Sequence, residues 1–342
     1  MKRTDALALA ALIATTGASS GPPVETATDA MAVLRAAMDA PSRLSYEAQV
    51  SVLHFGSQKS VAAIFRVEHR APNLTRRWYL APQGLYGDSI ISRGDTTFSI
   101  DVKRERVVVA HDDAVDDQVA EDDNFGILQA NYRASFAPGE TLDGRPARVI
   151  LLTNKYTGQT TMRVHVDART GLVLEKETYA ANGSLLGEMR IEKLRYTDAI
   201  PTQVFEIPKD YPRVNGPARS LPSSDLSRII ASAGFKALNP KYLPDGFTPV
   251  EGDLISIKGV RTLHLLYSDG IRTVSLFESE QGASVDMSRY HVSELKTEDV
   301  EAQYVEEGPT TLFTWSKNGL HFTMVGEISL GELERIAKSV VP

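Results

Sequence analysis

Seven histidines, a dense run of acids and an Arg-Gly-Asp triplet are where chemistry could begin in this 342-residue chain. The histidines are His54, His69, His111, His165, His264, His291 and His321. None belongs to a His-Glu-x-x-His motif and no two stand four residues apart, so the helical zinc pair is not offered. His165 and His264 fall in strand patterns, where a hydrogen-bonded structural histidine is the commoner role. There is no cysteine, which removes thiol nucleophiles and thiolate ligands. No Gly-x-Ser-x-Gly elbow, phosphate-binding glycine loop or dinucleotide fingerprint occurs. Residues 112–123 (DDAVDDQVAEDD) hold enough carboxylates for calcium, but their spacing misses the EF-hand loop. A solvated acidic loop or helix start accounts for them. Arg93-Gly94-Asp95 has the integrin tripeptide, yet Gly-Asp between two strands is ordinary hairpin-turn chemistry. No catalytic, metal or cofactor site is therefore assigned. The sequence favours a binding protein over an enzyme, with a secreted hydrolase of unrecognised site as the competing class.

The formal net charge of −7 speaks against a nucleic-acid partner, which would need a basic surface. Lys2 and Arg3 precede an apolar run, Ala6–Ala14, and small residues follow through Ser20. This three-part pattern predicts a secretory signal peptide over residues 1–20, cleaved near Ala18, although Asp5 departs from it. With no cysteine to acylate, the expected product is exported, soluble and not a lipoprotein.

The elements that would position a binding surface are mostly strands. Thr28 is placed to cap a helix running to Asp39, with Met31, Leu34 and Met38 on one face. Tyr46, Ala48, Val50 and Val52 alternate with polar residues, as do Ala63, Phe65 and Val67 in the next run. Further strands surround Trp78, Ile90 and Phe98. Residues 125–132 read as helix and 145–152 as strand. Met162, Val164 and Val166 alternate with Arg163, His165 and Asp167. Asn182-Gly183 then marks a hairpin. Met189 and Ile191 share one parity and Leu194 and Tyr196 the other, which predicts a bulge near Glu192 or Lys193. Residues 209–224 are rich in Pro, Gly and Ser and read as a linker. Beyond it, a helix from Leu226, hairpins at Ser268–Gly270 and Asn318-Gly319, and a Ser329/Glu332 capping box describe a smaller α+β unit.

Several short stretches resemble the MucB/RseB family of periplasmic regulators. They are Asn131-Tyr132, Leu142–Arg145, Val166-Asp167 with Thr170–Leu172, Gly183, and Phe205–Pro208. In the second unit they are Leu243–Phe247, Tyr267–Gly270 with Val274–Phe277, and Val325–Ile328. Lys155-Tyr156-Thr157-Gly158 departs from the family's usual Arg-Tyr-Gly stretch. The family's N-terminal domain is similar to the lipoprotein carriers LolA and LolB.

The resemblance implies an α+β chain. A LolA-like unclosed antiparallel β-barrel over residues 27–208 would carry helices on its concave side. A smaller C-terminal domain over 225–342 would follow the linker. It also implies a role as negative regulator of an extracytoplasmic-function sigma factor. The partner would be the periplasmic part of a membrane-spanning anti-sigma factor, and a lipid or lipopolysaccharide-type ligand the stress signal. Self-association into a homo-oligomer is a further option, and a lipid or lipoprotein carrier of LolA type the alternative. The expected lipid-binding lining is Tyr46, Val50, Val52, Phe65, Val67, Trp78, Leu80, Phe98 and Ile100. Each buried methylene would contribute about 0.8 kcal/mol. Solid core is the competing reading for each of these residues.

Overall fold

The computed structural model describes residues 29–56, 60–94, 96–111, 124–215, 223–257, 259–280, 287, 291–307 and 310–341. The expected signal peptide, the Thr28 cap, Asp95 and the acidic stretch 112–123 lie outside them. The first helix, α1 (Ala30–Met38), is capped by Asp29, whose carboxylate accepts from the Met31 N–H at 3.1 Å. Ala30, Val33, Leu34 and Ala37 form its buried stripe. A 3-10 turn, Ala40–Arg43, with Pro41 near its start, follows it and leads into the sheet.

Twelve strands then make one sheet. They are β1 (Tyr46–His54), β2 (Val61–Arg70), β3 (Leu74–Ala81), β4 (Ser89–Arg93), β5 (Thr96–Asp101), β6 (Arg106–His111), β7 (Tyr132–Leu142), β8 (Arg145–Asn154), β9 (Thr160–Asp167), β10 (Val173–Tyr179), β11 (Leu185–Tyr196) and β12 (Arg213–Asn215). A helix, α2, covers residues 124–131. The strand order is β12-β6-β5-β4-β3-β2-β1-β11-β10-β9-β8-β7, so β12 and β7 are open edges and the barrel does not close. All pairings are antiparallel except β12 with β6. The expected bulge is present. Gln49 faces Glu192 but Glu47 faces Arg195, and Lys193 adopts a φ of 51°.

Cross-strand register defines the sheet's faces, because directly paired residues point the same way. Val52 pairs with Met189, Met189 with Lys176, Lys176 with Val164, and Val164 with Ile150. Ile150, Leu152, Met162 and Val164 bury against α1 and α2. The helices therefore cover the same face that carries Val50 and Phe65, and this is the inner face. The outer face of the central strands is charged. Glu47 pairs ionically with Arg66 at 3.4 Å and Arg195 at 2.7 Å, and Arg66 with the buried Glu68 at 2.8 Å.

The second sheet follows α3 (Leu226–Ala231). It comprises β13 (Thr248–Ile257), β14 (Val260–Ser268), β15 (Thr273–Glu280), β16 (Ser293–Lys296), β17 (Glu301–Glu307), β18 (Thr310–Lys317) and β19 (Leu320–Gly326). Their order is β13-β14-β15-β19-β18-β17-β16. One face packs on α3 and on α4 (Leu330–Ser339) as a continuous core that includes Leu263, Phe313, Phe322, Met324, Leu333 and Ile336. Ser329 caps α4 by accepting from the Glu332 N–H at 3.3 Å, as the capping box predicts. Within the 209–224 stretch expected as a linker, the described Arg213–Asn215 pair with β6, and Ser223 pairs with Gly252 of β13 through two backbone bonds. Among the described residues no helix is long and apolar enough to cross a membrane.

Candidate functional site

The nine residues expected to line one groove divide between two faces. Tyr46, Val50, Phe65 and Val67 are buried in one inner-face cluster, with Val52 half-buried against it. Val50 stands opposite Phe65, and Phe65 opposite Tyr79, whose ring lies 5.6 Å away. Tyr79, not Trp78, is therefore the β3 residue on this face. Trp78 stands opposite Arg66 on the outer face, with Arg76 stacked over its ring. Leu80 is the extra residue of a bulge, since Ile64 pairs with Ala81 and Phe65 with Tyr79. Phe98 and Ile100 are also outer: Ile91 pairs with Phe98, and Ile91 and Ile100 bury under Ile200, Phe205 and Ile207. Arg93 fastens that strip by donating to the Phe205 carbonyl. Alternation assigns faces within a strand, but turns and bulges decide which parities meet across strands.

The inner face is apolar with charged interruptions. Lys176 sits between Val164 and Met189 in register. Burial pulls its ammonium below the usual lysine range, while the Glu327 carboxylate of the second domain pulls it back. His54, paired with Gly187, is likewise lowered by burial and by Lys176, with Glu327 opposing. The Glu327 carboxylate thus acts electrostatically on both Lys176 and His54.

A second contact between the domains is a built junction. The β14–β15 turn, Ser268–Arg272, reaches the end of α2. Asn131 donates through Nδ2 to the Asp269 carbonyl at 3.0 Å and to the Gly246 carbonyl at 2.8 Å. Tyr132 donates its hydroxyl to Asp269 Oδ2 at 2.8 Å, and Tyr156 donates to Asn131 Oδ1 at 3.2 Å. Asp269 is fully buried, and it also accepts from the Ile271 and Arg272 N–H groups and from the Arg272 guanidinium. Burial and the adjacent carboxylate raise the Tyr132 hydroxyl well above the usual tyrosine range, so it stays a donor. Gly270 has a φ of +96°, and a Cβ there would lie 2.5 Å from the Leu128 backbone. Ile271 packs against the apolar cluster of α1, α2, β8 and β9. Three stretches that carry the family resemblance, Asn131-Tyr132, Leu243–Phe247 and Tyr267–Gly270, therefore meet at one place.

Two constellations outside these surfaces bear on chemistry. Asp253 Oδ1, His264 Nδ1, His264 Nε2 and Ser275 Oγ form a chain with steps of 2.7 and 3.1 Å. These are triad distances. However, Ser275 lies in β15, which is paired to β14 and β19 on both sides, so the strand's backbone N–H groups are used in the ladder. The His264 ring stacks on Phe277 at 4.6 Å. His165 is held between Glu140 at 3.2 Å and Glu175 at 3.5 Å on the outer face. Among the described residues no cluster of ligands fit for a metal ion occurs. An open cavity of about 440 Å³ lies near the 180–183 turn, lined by residues including Leu151, Arg163 and Tyr179, away from the inner face.

Comparison with known proteins places this geometry. The model of the MucB/RseB N-terminal domain matches residues 29–209, and that of a domain of unknown function, DUF4367, matches residues 237–340. The sigma-E factor regulatory protein RseB of Haemophilus influenzae is 24% identical over 64% of this chain and 62% of its own length. The sigma factor AlgU regulatory protein MucB of Pseudomonas aeruginosa is 29% identical over 58% of this chain and 57% of its own. The chain thus spans about three-fifths of the length of these curated relatives. The crystal structure of MucB in complex with MucA(peri) superposes with a TM-score of 0.61 at 19% identity, covering 92% of this chain and 99% of that one. That likeness establishes the shared two-sheet fold.

Proposed function

Because this chain belongs to the MucB/RseB family, we propose that it is a periplasmic negative regulator of an extracytoplasmic-function sigma factor pathway. It binds the periplasmic part of a membrane-spanning anti-sigma factor, shields it from its site-one protease, and releases it when a lipidic stress signal occupies the inner face. The observation that carries this reading is the match of residues 29–209 to the family's N-terminal domain. The relatives' names as sigma-factor regulatory proteins and the MucB complex with MucA(peri) support it. The lipidic part rests on an apolar inner face, contributed by Tyr46, Val50, Val52, Phe65 and Val67 at one end and by the α1/α2 cluster at the other. The regulatory names of the relatives favour binding over catalysis.

The test uses the periplasmic segment of the single-span anti-sigma factor encoded beside a sigma factor in the same genome. Calorimetry of that segment with this chain should show saturable binding, weakened when an acyl-chain ligand is added. Linkage requires the segment to weaken acyl binding by the same factor. No binding to the segment, with acyl ligand still bound, would transfer the chain to the competing reading, a lipid or lipoprotein carrier.

A further inference from the structure

The inner face already has an occupant that the chain supplies itself. Ile271, at the tip of the β14–β15 turn, packs into the cluster of α1, α2, β8 and β9. The tip that carries it is internally complete. Asp269 Oδ1 holds the Ile271 and Arg272 N–H groups at 2.9 and 2.7 Å, and Oδ2 holds Arg272 Nε at 2.9 Å. Ser268 Oγ accepts from the Gly270 N–H at 2.9 Å and donates to the Arg272 carbonyl at 3.1 Å. All of these bonds lie within five residues and survive if the tip leaves its seat. The tip's bonds to the first domain run to Asn131 and Tyr132, and Asn131 also bonds the Gly246 carbonyl. Asn131 and Tyr132 are polar groups that water can satisfy once exposed. The seat is thus held by the bonds to Asn131 and Tyr132, by Gly270 against the Leu128 backbone and by the Ile271 side chain.

We infer that the Ser268–Arg272 tip is an autoinhibitory plug. Ile271 holds the α1/α2 end of the inner face closed, and an acyl chain entering that end expels Ile271 and unseats the second domain. This rests on the reading of the inner face as an acyl-chain groove. It converts occupancy of the groove into a change of domain arrangement, which a partner bound across both domains would register. Unseating also carries Glu327 away from Lys176 and His54, since all of the second domain moves with its sheet.

The chain has no cysteine, so Ser135→Cys and Glu294→Cys, both at exposed positions, can carry a spin-label pair across the junction. Interdomain distances are measured on the full chain with and without cis-parinaric acid, and the probe's affinity is read by its fluorescence. Ile271→Ala and Asn131→Ala are compared with the parent, and far-ultraviolet circular dichroism checks that each is folded. The expected result is one narrow distance without probe, a longer and broader one with it, and probe affinity raised about tenfold in both variants. That rise is within the usual range of coupling between linked equilibria. Asn131→Ala separates the plug from simple cavity enlargement, because it loosens the seat without emptying it. If the probe binds the parent while the distance stays fixed and neither variant gains affinity, the plug is overturned and the groove stands. If the probe binds neither the parent nor Ile271→Ala, the groove falls and the plug with it.

Discussion

The two sheets bury their apolar surface in opposite ways. The second sheet concentrates it in one continuous core under α3 and α4, from Leu263 and Phe313 to Leu333 and Ile336. The first sheet disperses it. One cluster lies under α1 and α2, a second around Phe65 and Tyr79, and a third on the opposite face under Phe205. A continuous core resists opening as a unit, because every side chain is held by several others. Separate patches, two on the inner face with Lys176 and His54 on that same face and one on the outer face, are expected to open more independently. The difference assigns durability to the second domain and adaptability to the first, and places their meeting point, the Ser268–Arg272 tip, where an adaptable surface touches a rigid one.

The sharpest way to break that comparison is at the tip. Gly270→Ala puts a Cβ 2.5 Å from the Leu128 backbone at a φ of +96°. Backbone cannot yield as a flexible side chain would, so the expected loss is at least about 3 kcal/mol of full-chain stability, or the seat is abandoned. Gly319→Ala is the control: its φ is +80° with nothing within 4 Å, and it should cost only about 1 kcal/mol. Urea unfolding of the two variants decides it, and equal costs would mean that the tip is not seated. Limited proteolysis adds a readout. Cleavage between Lys209 and Ser224 should leave fragments that co-elute in the parent and separate in Gly270→Ala.

A smaller effect distinguishes the second core. Glu278 is 1% exposed in the row that runs across to Phe322. Its Oε1 accepts the Leu238 N–H at 2.8 Å, and its Oε2 has no hydrogen-bond partner. Burial pushes its carboxyl up to about 7, against the pull of that N–H. A folded-state value above the unfolded one means that the native chain holds the extra proton. Stability is then fully present below the unfolded value near 4.5 and falls as pH rises through about 7. Glu175 on the first sheet is also pushed up to about 7 by burial, with Arg190 opposing, and adds in the same direction. Glu278→Gln removes the ionisation and keeps the shape. It should flatten the slope between pH 5 and 8 by on the order of 2 kcal/mol and leave the variant the more stable form at the alkaline end. An unchanged slope in denaturation series across that range would show that the carboxyl is not the titrating group.

Much of this architecture is legible in the sequence, and the failures share a cause. The alternation of Tyr46–Val52 and of Met162–Val166, the Asn318-Gly319 turn, the bulge at Lys193 and the Ser329 cap are local signals, and each appears where expected. The cap of α1 is Asp29, one residue on from the expected Thr28. Strand parity carried from one run to the next places Trp78, Phe98 and Ile100 on the inner face, where the structure does not have them. The turns joining β2 to β3, β3 to β4 and β4 to β5 set the opposite parity at these residues, the strip around Phe205 covers it, and neither leaves a periodic trace. Strands β7, β13, β16 and β17 have weak alternation, and β12 hides in linker composition. The junction is the instructive case. Asn131-Tyr132, Leu243–Phe247 and Tyr267–Gly270 stand out as stretches, but their partnership spans more than a hundred residues and appears only in three dimensions. A polar Asn-Tyr pair closing a helix, matched with two Asp-Gly turns elsewhere, was the signal available.

The smallest effect expected is at Phe65, and it tests whether the first sheet's second patch belongs to the groove or only to the core. Phe65 is 6% exposed, tilted on Tyr79 and flanked in register by Val50. Phe65→Leu keeps the site apolar and changes its shape, so the stability cost should be about 1 kcal/mol or less. If the groove runs from the α1/α2 end past Met189 and Val52 to this patch, the folded variant should bind cis-parinaric acid with affinity altered about threefold. The distance change across the junction should persist, because Ile271 is untouched. If the patch is core alone, affinity per folded molecule stays at the parent value and only the melting temperature moves. Phe65→Asp gives the extreme: an unpaired carboxylate on a dry face costs several times more and should unfold the first sheet before the second. Loss of both sheets together in that variant would contradict the division of labour between them, since a rigid second domain with its own core should outlast its neighbour.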